Sequence, residues 1–244
     1  MQLCRMFQAV YKKINCLSFR EKTVFLNNLV VYIQRYKILK SCVFEHITLN
    51  MSRSVMLTFI YSTVNAGKSA NLLMKAHSCL ERKLNALIFV PEITQARDGV
   101  SQVVSRAGFI KKAFSLKTDS NIMESVIKEN IKKPCDVIFV DEAQFLTKQQ
   151  VLELCLIVDE LEIPVFAYGL RTDFKGMPFE GSMYLLCWAD TIEEISTFAS
   201  SGKKATFNSK IDSNGEQILS GESVSIGFDY LPSTRKDFNL KYFA

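Results

Sequence analysis

The residues best suited to chemistry in this sequence form a short loop that ends in Gly67-Lys68-Ser69. The loop follows an apolar segment that predicts a strand, Met56–Tyr61, and precedes a helical pattern, Ala70–Glu81. In that setting backbone N–H groups and the helix N-terminus can bind phosphates, the lysine ammonium can reach their outer oxygens, and the serine hydroxyl can hold Mg²⁺. The spacing therefore predicts a phosphate-binding loop, although Ser62 stands where the consensus has its first glycine.

A pair of adjacent acids supplies the second part of this chemistry. A predicted strand, Asp136–Val140, ends in Asp141-Glu142. Phosphoryl transfer requires neutralised phosphate charge and a base beside the attacking hydroxyl. We therefore predict that Asp141 holds Mg²⁺ together with Ser69 and that Glu142 is the catalytic base. The predicted ATP-binding residues are Ser62, Thr63, Val64, Asn65, Ala66, Gly67, Lys68, Ser69, Asp141 and Gln144.

Alternating strands and helices must position these residues. Strands are predicted at Ala86–Val90 and Pro164–Gly169, and helices at Ile122–Ile131 and Lys148–Leu161. Connections of this length favour a right-handed, doubly wound parallel sheet flanked by helices, with the site at the carboxyl ends of the strands. The predicted fold class is α/β.

Composition limits the remaining classes of protein. The chain has 244 residues, 48% hydrophobic and 23% charged, and is long enough to bury a core. It contains no apolar run of the roughly 18 residues that a membrane span needs. Its seven cysteines include no C-x-x-C pair, which favours reduced thiols and a cytosolic setting. The net charge of +5 comes from residues 1–50, and the remainder carries 22 basic and 23 acidic residues.

Residues 1–50 contain neither glycine nor proline and mix aromatic with basic side chains. Three interpretations stay open: translation starting at Met51 or Met56, a helical appendage, or a targeting segment. We expect no chemistry in this extension and expect a chain that starts at Met51 to keep its activity.

Three motifs together resemble the bacterial members of the type II thymidine kinases. They are Tyr61-Ser-x-x-Asn-Ala-Gly-Lys-Ser69, Val140-Asp-Glu-Ala-Gln-Phe-Leu146 and Tyr168-Gly-Leu-Arg-Thr-Asp-Phe174, and the last is the most specific. The resemblance implies transfer of the ATP γ-phosphoryl group to the 5′-hydroxyl of thymidine, giving dTMP. It also implies a RecA-like phosphate-loop domain at residues 54–192, a β-rich lasso domain at residues 193–238, and a homotetramer. From the composition we expect a cytoplasmic protein that binds neither nucleic acid nor membrane.

The resemblance further assigns a nucleoside site. It implies that Phe145 and Phe174 flank the thymine ring, which suits aromatic faces. It also implies that the tail closes over thymidine through Ile226, Gly227 and Tyr230. Arg171 either stabilises charge in the transition state or anchors its own loop by a salt bridge.

The sequence departs from the family where the lasso usually binds zinc. The four ligand positions are occupied by Ala199, Ser201, Thr234 and Asp237, which are poor ligands for tetrahedral zinc. We therefore expect no structural zinc. The lasso is predicted to rest instead on strands at Thr191–Phe198, Ala205–Ile211 and Ser223–Ile226.

Two further departures leave alternatives open. Gln95 replaces a usual acid before Arg97, and the tail near Gly227 is about two residues short. A catalytically impaired relative is therefore one alternative. A nucleic-acid-dependent ATPase is another, but such motors need a second core domain, and only about 100 residues follow Asp141.

Overall fold

The computed structural model describes residues 55–94, 102–212, 216–218, 220–221 and 229–238. Within these ranges the strands are β1 (Leu57–Ser62), β2 (Ala86–Pro91), β3 (Gln102–Val104), β4 (Ile110–Lys112), β5 (Phe114–Leu116), β6 (Val137–Val140), β7 (Val165–Leu170), β8 (Thr191–Glu194), β9 (Phe207–Ile211), β10 (Gln217–Ile218) and β11 (Asp229–Ser233). The α-helices are α1 (Lys68–Glu81), α2 (Ile122–Lys132), α3 (Lys148–Leu161), α4 (Glu180–Trp188) and α5 (Arg235–Phe238). Single 3₁₀ turns lie at Glu92–Thr94 and Ala143–Phe145. None of the described helices is both long and apolar enough to cross a membrane.

A parallel sheet in the order β5-β2-β6-β7-β1-β8 forms the centre of the fold. Its inner strands are apolar along their length because both faces are covered. On one face β1, β6 and β7 pack against helices α2, α3 and α4. On the other face helix α1 packs through Leu72, Leu73 and Ala76. The predicted α/β fold is confirmed, and helix α3 has its predicted bounds.

The order of the sheet brings the chemically suited residues to one edge. Strand β7 lies between β1, which leads into the phosphate loop, and β6, which ends before Asp141. Because the three strands are parallel, the segments that follow them emerge side by side. This edge is where the sequence predicts the site.

The predicted placement of Thr191–Phe198 in the lasso is wrong. Residues 191–194 form β8, which pairs in parallel with β1 as the outermost strand of the central sheet. Asp190 accepts a hydrogen bond from the Leu57 N–H at 2.7 Å, and the Ile195 N–H donates to the Tyr61 carbonyl at 2.9 Å. These contacts hold the segment along the edge of β1 that β7 does not cover. Strand β8 therefore crosses the predicted domain boundary between residues 192 and 193.

A small antiparallel sheet in the order β10-β9-β11 follows further along the chain. Strand β9, Phe207–Ile211, corresponds to the predicted strand at Ala205–Ile211. The predicted strand at Ser223–Ile226 lies outside the described residues, as do residues 1–50 and Gln95.

The sequence reading missed the β3–β4 hairpin. Each of its strands has three residues, too few to show a period of two, and three of the six strand side chains are exposed. Val103 is buried against the core beside α1. The hairpin contributes to the site described below.

Close packing of α4 fixes the backbone beside Asp141 and Glu142. A Cβ atom built on Gly181 would lie 2.4 Å from the Ala143 carbonyl oxygen and 2.8 Å from that of Leu146. The first turn of α4 therefore lies directly on the 3₁₀ turn that follows Asp141-Glu142, at a distance that only glycine permits.

Replacing Gly181 with alanine should consequently destabilise the protein by about 1–3 kcal/mol, the usual cost of overpacking. Turnover should fall as well, because the 143–145 turn must move. Denaturant unfolding and steady-state rates test both expectations. Met183→Ala, on the exposed side of the same helix, serves as the control, and equal unfolding midpoints for the two variants would contradict the packing argument.

Candidate active site

The phosphate loop lines a cleft of about 600 Å³. The cleft is lined by Val64, Asn65, Ala66, Gly67, Lys68, Ser69, Asp141 and Glu142, among others. Gly67 has a φ of 80°, in the left-handed region that favours glycine, and helix α1 begins at the next residue. The loop backbone and the helix N-terminus therefore meet in one cleft, which is an arrangement suited to anions.

Ser62 and Thr63 lie behind the loop. Ser62 is the last residue of β1, and its buried hydroxyl donates to the Ile195 carbonyl at 2.6 Å. The serine in place of the consensus glycine thus joins the start of the loop to the end of β8. The Thr63 carbonyl accepts a hydrogen bond from the Lys68 ammonium at 2.7 Å, which holds the lysine across the loop.

Lys68 and Asp141 form the electrostatic centre of the cleft. Burial raises the pKa of Asp141 to about 7, and the charge on Glu142 adds to the rise. The Ser69 hydroxyl, which hydrogen-bonds the Asp141 carboxyl, and the Lys68 ammonium oppose that shift. Burial lowers the pKa of Lys68, while Glu142 and Asp141 act against the decrease. The site therefore holds poorly hydrated charges that phosphate and a cation can compensate.

Glu142 is held in an unusual backbone conformation. Its φ is 51°, which few residues other than glycine adopt. Its N–H donates to the Asp141 carboxylate at 3.0 Å, and its side chain accepts from the Gln144 amide at 2.5 Å. Strain of this kind persists where the surroundings impose it, often at functional sites. The turn aims a second carboxylate into the cleft.

Gln144, predicted to bind ATP, lies behind Glu142 and is buried. Its amide nitrogen holds Glu142, and its amide oxygen accepts from the Leu170 N–H at 3.0 Å. A Cβ on Gly169 would lie 2.9 Å from that oxygen, so the small residue leaves the space for Gln144. Gln144 therefore connects the turn after β6 to the end of β7.

The predicted nucleoside residues have separate partners. Phe145 is half-buried and meets Phe179 edge to face at 5.4 Å between ring centroids. Phe174 is fully buried and faces Tyr230 at 6.5 Å, with the Lys210 ammonium 4.8 Å from its ring centre. Ile226 and Gly227 lie outside the described residues. Of the three predicted tail residues, Tyr230 is therefore the one that the structure describes, and it lies beside Phe174.

The position of Arg171 favours one of its two predicted roles. Its guanidinium donates to the Thr206 carbonyl at 3.1 Å and lies 5.6 Å from the Tyr61 ring centre. It lines a second, much smaller cleft with Ser62 and Thr63, rather than the cleft that holds Lys68. The contacts support an anchoring role between the end of β7 and the start of the small sheet.

The sequence reading missed two polar residues at the phosphate loop. Arg106, in the turn of the β3–β4 hairpin, lines the cleft and donates to the Asn65 side chain. Asn208, in β9, accepts a hydrogen bond from the Val64 N–H at 2.8 Å. Neither lies in a recognisable motif, and no local spacing indicates contacts that join such distant parts of the chain.

Most of the residues just described lie in a region similar to known proteins. A family model described as "Thymidine kinase" matches residues 55–226. The curated thymidine kinase of Coxiella burnetii is 44% identical over 189 residues, which cover 75% of this chain and 95% of that protein. Those of Haemophilus influenzae (strain KW20) and Rhodopirellula baltica are 44% and 47% identical over 171 residues, covering 70% of this chain and 88% and 81% of their own length.

Asp141 gives the ligand-free protein a characteristic pH dependence. The pKa of its carboxyl is about 7 when folded and 3.8 for an ordinary aspartate, so the folded state binds this proton more tightly. Its contribution to stability is present below pH 4 and is lost as the pH rises through 7. Asp141→Asn should therefore raise the melting temperature at pH 8 by about 2 °C or more, and much less at pH 4.

Thermal melts without nucleotide or divalent cation test this pH dependence. Exposed Asp159→Asn controls for the loss of one negative charge. A difference between Asp141→Asn and the parent that stays constant across this pH range would contradict the assignment.

Proposed function

The chain belongs to the thymidine kinase family and is an enzyme that phosphorylates thymidine with ATP as donor, and we propose that the cleft at the phosphate loop is its catalytic site. One observation carries this assignment: Lys68, Asp141 and Glu142 meet in a single cleft although they follow two different strands. Phosphoryl transfer depends on positioning and on electrostatic stabilisation, and this cleft provides both.

The phosphate loop would bind the donor. Its backbone N–H groups and the N-terminus of α1 suit the phosphate oxygens of ATP. Lys68 already lies across the loop, bonded to the Thr63 carbonyl, and would exchange that bond for the outer phosphates. Because the ammonium is buried, its interaction with phosphate is little weakened by water.

Ser69 and Asp141 would hold Mg²⁺. Both offer oxygen atoms, which Mg²⁺ prefers, and the serine hydroxyl already hydrogen-bonds the aspartate, so the two groups are in reach of one ion. A buried carboxyl with a pKa near 7 also gains from a divalent counter-charge. When bound, the ion neutralises charge on the transferring phosphate.

Glu142 would act as the base for the acceptor. Its carboxylate lines the cleft beside Asp141 and is oriented by the Gln144 amide. From there it can take the proton of the thymidine 5′-hydroxyl as the oxygen attacks the γ-phosphorus. Phe145 and Phe174, with Tyr230 and the tail residues Ile226 and Gly227, remain the proposed nucleoside contacts, and Arg171 is proposed to hold their loop.

Glu142→Gln should lower turnover by about 10²-fold or more, because the amide keeps the shape and the contact with Gln144 but cannot take a proton. Coupled assays with ATP, Mg²⁺ and thymidine measure this. Glu81→Gln, an exposed acid on α1, should behave as the parent does. Near-normal turnover in Glu142→Gln would remove Glu142 from the role of base.

Lys68→Ala tests, in the same assay, whether the phosphate loop binds ATP for phosphoryl transfer. Transfer should collapse, while binding of thymidine alone should persist because no proposed nucleoside contact changes. If transfer survives, the phosphate loop is only the start of a helix. Adding single-stranded DNA and other nucleosides to the assay tests the impaired-relative and ATPase alternatives, neither of which the similarities favour.

We also propose that the small sheet is stable without zinc. The Thr234 hydroxyl donates to the Asp237 carboxylate at 2.7 Å and accepts from the Asp237 N–H at 3.2 Å, so both residues cap helix α5. Ala199 takes part in a tight turn through backbone bonds with Gly202 and Lys203. Phe238 is fully buried and stacks on Phe207 at 4.5 Å, which joins α5 to β9 through apolar contact.

Metal analysis of purified protein tests this proposal. Less than about 0.1 zinc per chain should remain after dialysis, because structural zinc sites are built from four Cys or His ligands. About one zinc per chain would overturn it. Among the described residues, no cluster of three or more Cys, His, Asp or Glu side chains is placed to hold a metal ion.

A homotetramer in the cytoplasm, without bound nucleic acid or membrane, completes the proposal. The oligomer follows from the resemblance to the bacterial enzymes. The location is supported by the cysteines of the described region, Cys79, Cys135, Cys155 and Cys187, which are all free thiols.

A further inference from the structure

Asn208 joins two loops of the active site through one side chain. It lies in β9 of the small sheet and is 3% exposed. Its amide oxygen accepts from the Val64 N–H at 2.8 Å, and its amide nitrogen donates to the Thr172 carbonyl at 3.0 Å. Val64 belongs to the phosphate loop, and Thr172 to the segment after β7 that carries Arg171 and Phe174. The same amide therefore holds the phosphate loop and the segment after β7, which is called the nucleoside loop below because it carries Phe174.

Neighbouring contacts strengthen this junction without duplicating it. The Asn65 amide donates to the Tyr230 carbonyl of β11 at 3.3 Å, and Arg171 donates to the Thr206 carbonyl just before β9. Each of these contacts joins the small sheet to one of the two loops. Asn208 touches both, and it does so in a buried position, where hydrogen bonds are strong and well oriented.

We propose that Asn208 is a positioning residue for phosphoryl transfer, which keeps the phosphate loop and the nucleoside loop in a fixed relative position. This inference rests on the proposed site at the phosphate loop. The reaction depends on an in-line approach of the acceptor hydroxyl to the γ-phosphorus, and a displacement of about 1 Å can lower a rate by about 10²-fold. A planar amide that bonds both loops opposes such a displacement.

The role has a kinetic signature that a purely structural residue lacks. Asn208 bonds only backbone groups in these contacts, so each substrate alone should bind almost normally without it. The relative placement of the two substrates should suffer, and that placement matters in the transition state. Removing Asn208 should therefore lower kcat while leaving both KM values nearly unchanged.

Two substitutions and a matched control test the proposal. Asn208→Ala removes both bonds. Asn208→Asp is nearly the same size and still accepts from Val64, but it cannot donate to Thr172. Asn130→Ala is the control, since the Asn130 side chain also accepts a backbone N–H, that of Cys135 at 2.7 Å, near the end of α2. Circular dichroism melts establish a temperature at which each variant is folded.

The expected result is a fall in kcat of about tenfold or more in both Asn208 variants, with KM for ATP and thymidine within about threefold of the parent. Asn130→Ala should keep kcat within about twofold. A normal kcat in either folded Asn208 variant overturns the proposal, as does an effect confined to KM or an equal loss in the control. Should Asn208→Ala fail to fold, Asn208→Asp decides by the same criteria.

Two sets of variants separate the positioning role of Asn208 from the catalytic role of the cleft. Glu142→Gln and Lys68→Ala, assayed beside these variants, report on the site itself. If those two lose activity while both Asn208 variants keep it, the site stands and the positioning role does not. If Glu142→Gln and Lys68→Ala stay active, the site is wrong and the positioning role falls with it.

Discussion

Burial of charge at the edge of a parallel sheet is the constraint on which the rest of this structure depends. Asp141 is 4% exposed and directly follows β6, and Lys68 is 9% exposed and is the first residue of α1. Neither group is well hydrated, so burial works against both charged forms and their mutual attraction only partly offsets it. In the proposed site, phosphate oxygens and a cation would compensate these two buried charges.

The carboxylate beside Asp141 depends on backbone geometry that packing must enforce. A left-handed glutamate costs roughly 1–3 kcal/mol, so Glu142 would not keep this conformation by itself. Gln144 holds its side chain, and α4 supports the turn through the close approach of Gly181. A helix distant in sequence thus determines where the proposed base points. This relationship explains why glycine and glutamine, which do no chemistry, belong to the same site.

The small sheet is held together by contacts that the structure shows directly. Thr234 and Asp237 hydrogen-bond one another in a helix cap, and the Phe207–Phe238 pair joins α5 to β9. Stabilised in this way, the sheet carries Asn208 and Tyr230 against the phosphate loop. The small sheet therefore contacts both the phosphate loop and the segment that follows β7.

The sequence by itself determined the phosphate loop, the Asp141-Glu142 pair and the strands and helices that carry them, because each is a local pattern of residue type and spacing. The tertiary structure alone decided that β8 extends the central sheet, that the Gln144 amide donates to Glu142 and that Arg171 donates to the Thr206 carbonyl. It also decided the contact of Asn208 with a loop 144 residues away. Such contacts depend on which strand edges and unsatisfied backbone groups the folded chain brings together. Local residue spacing does not predict them.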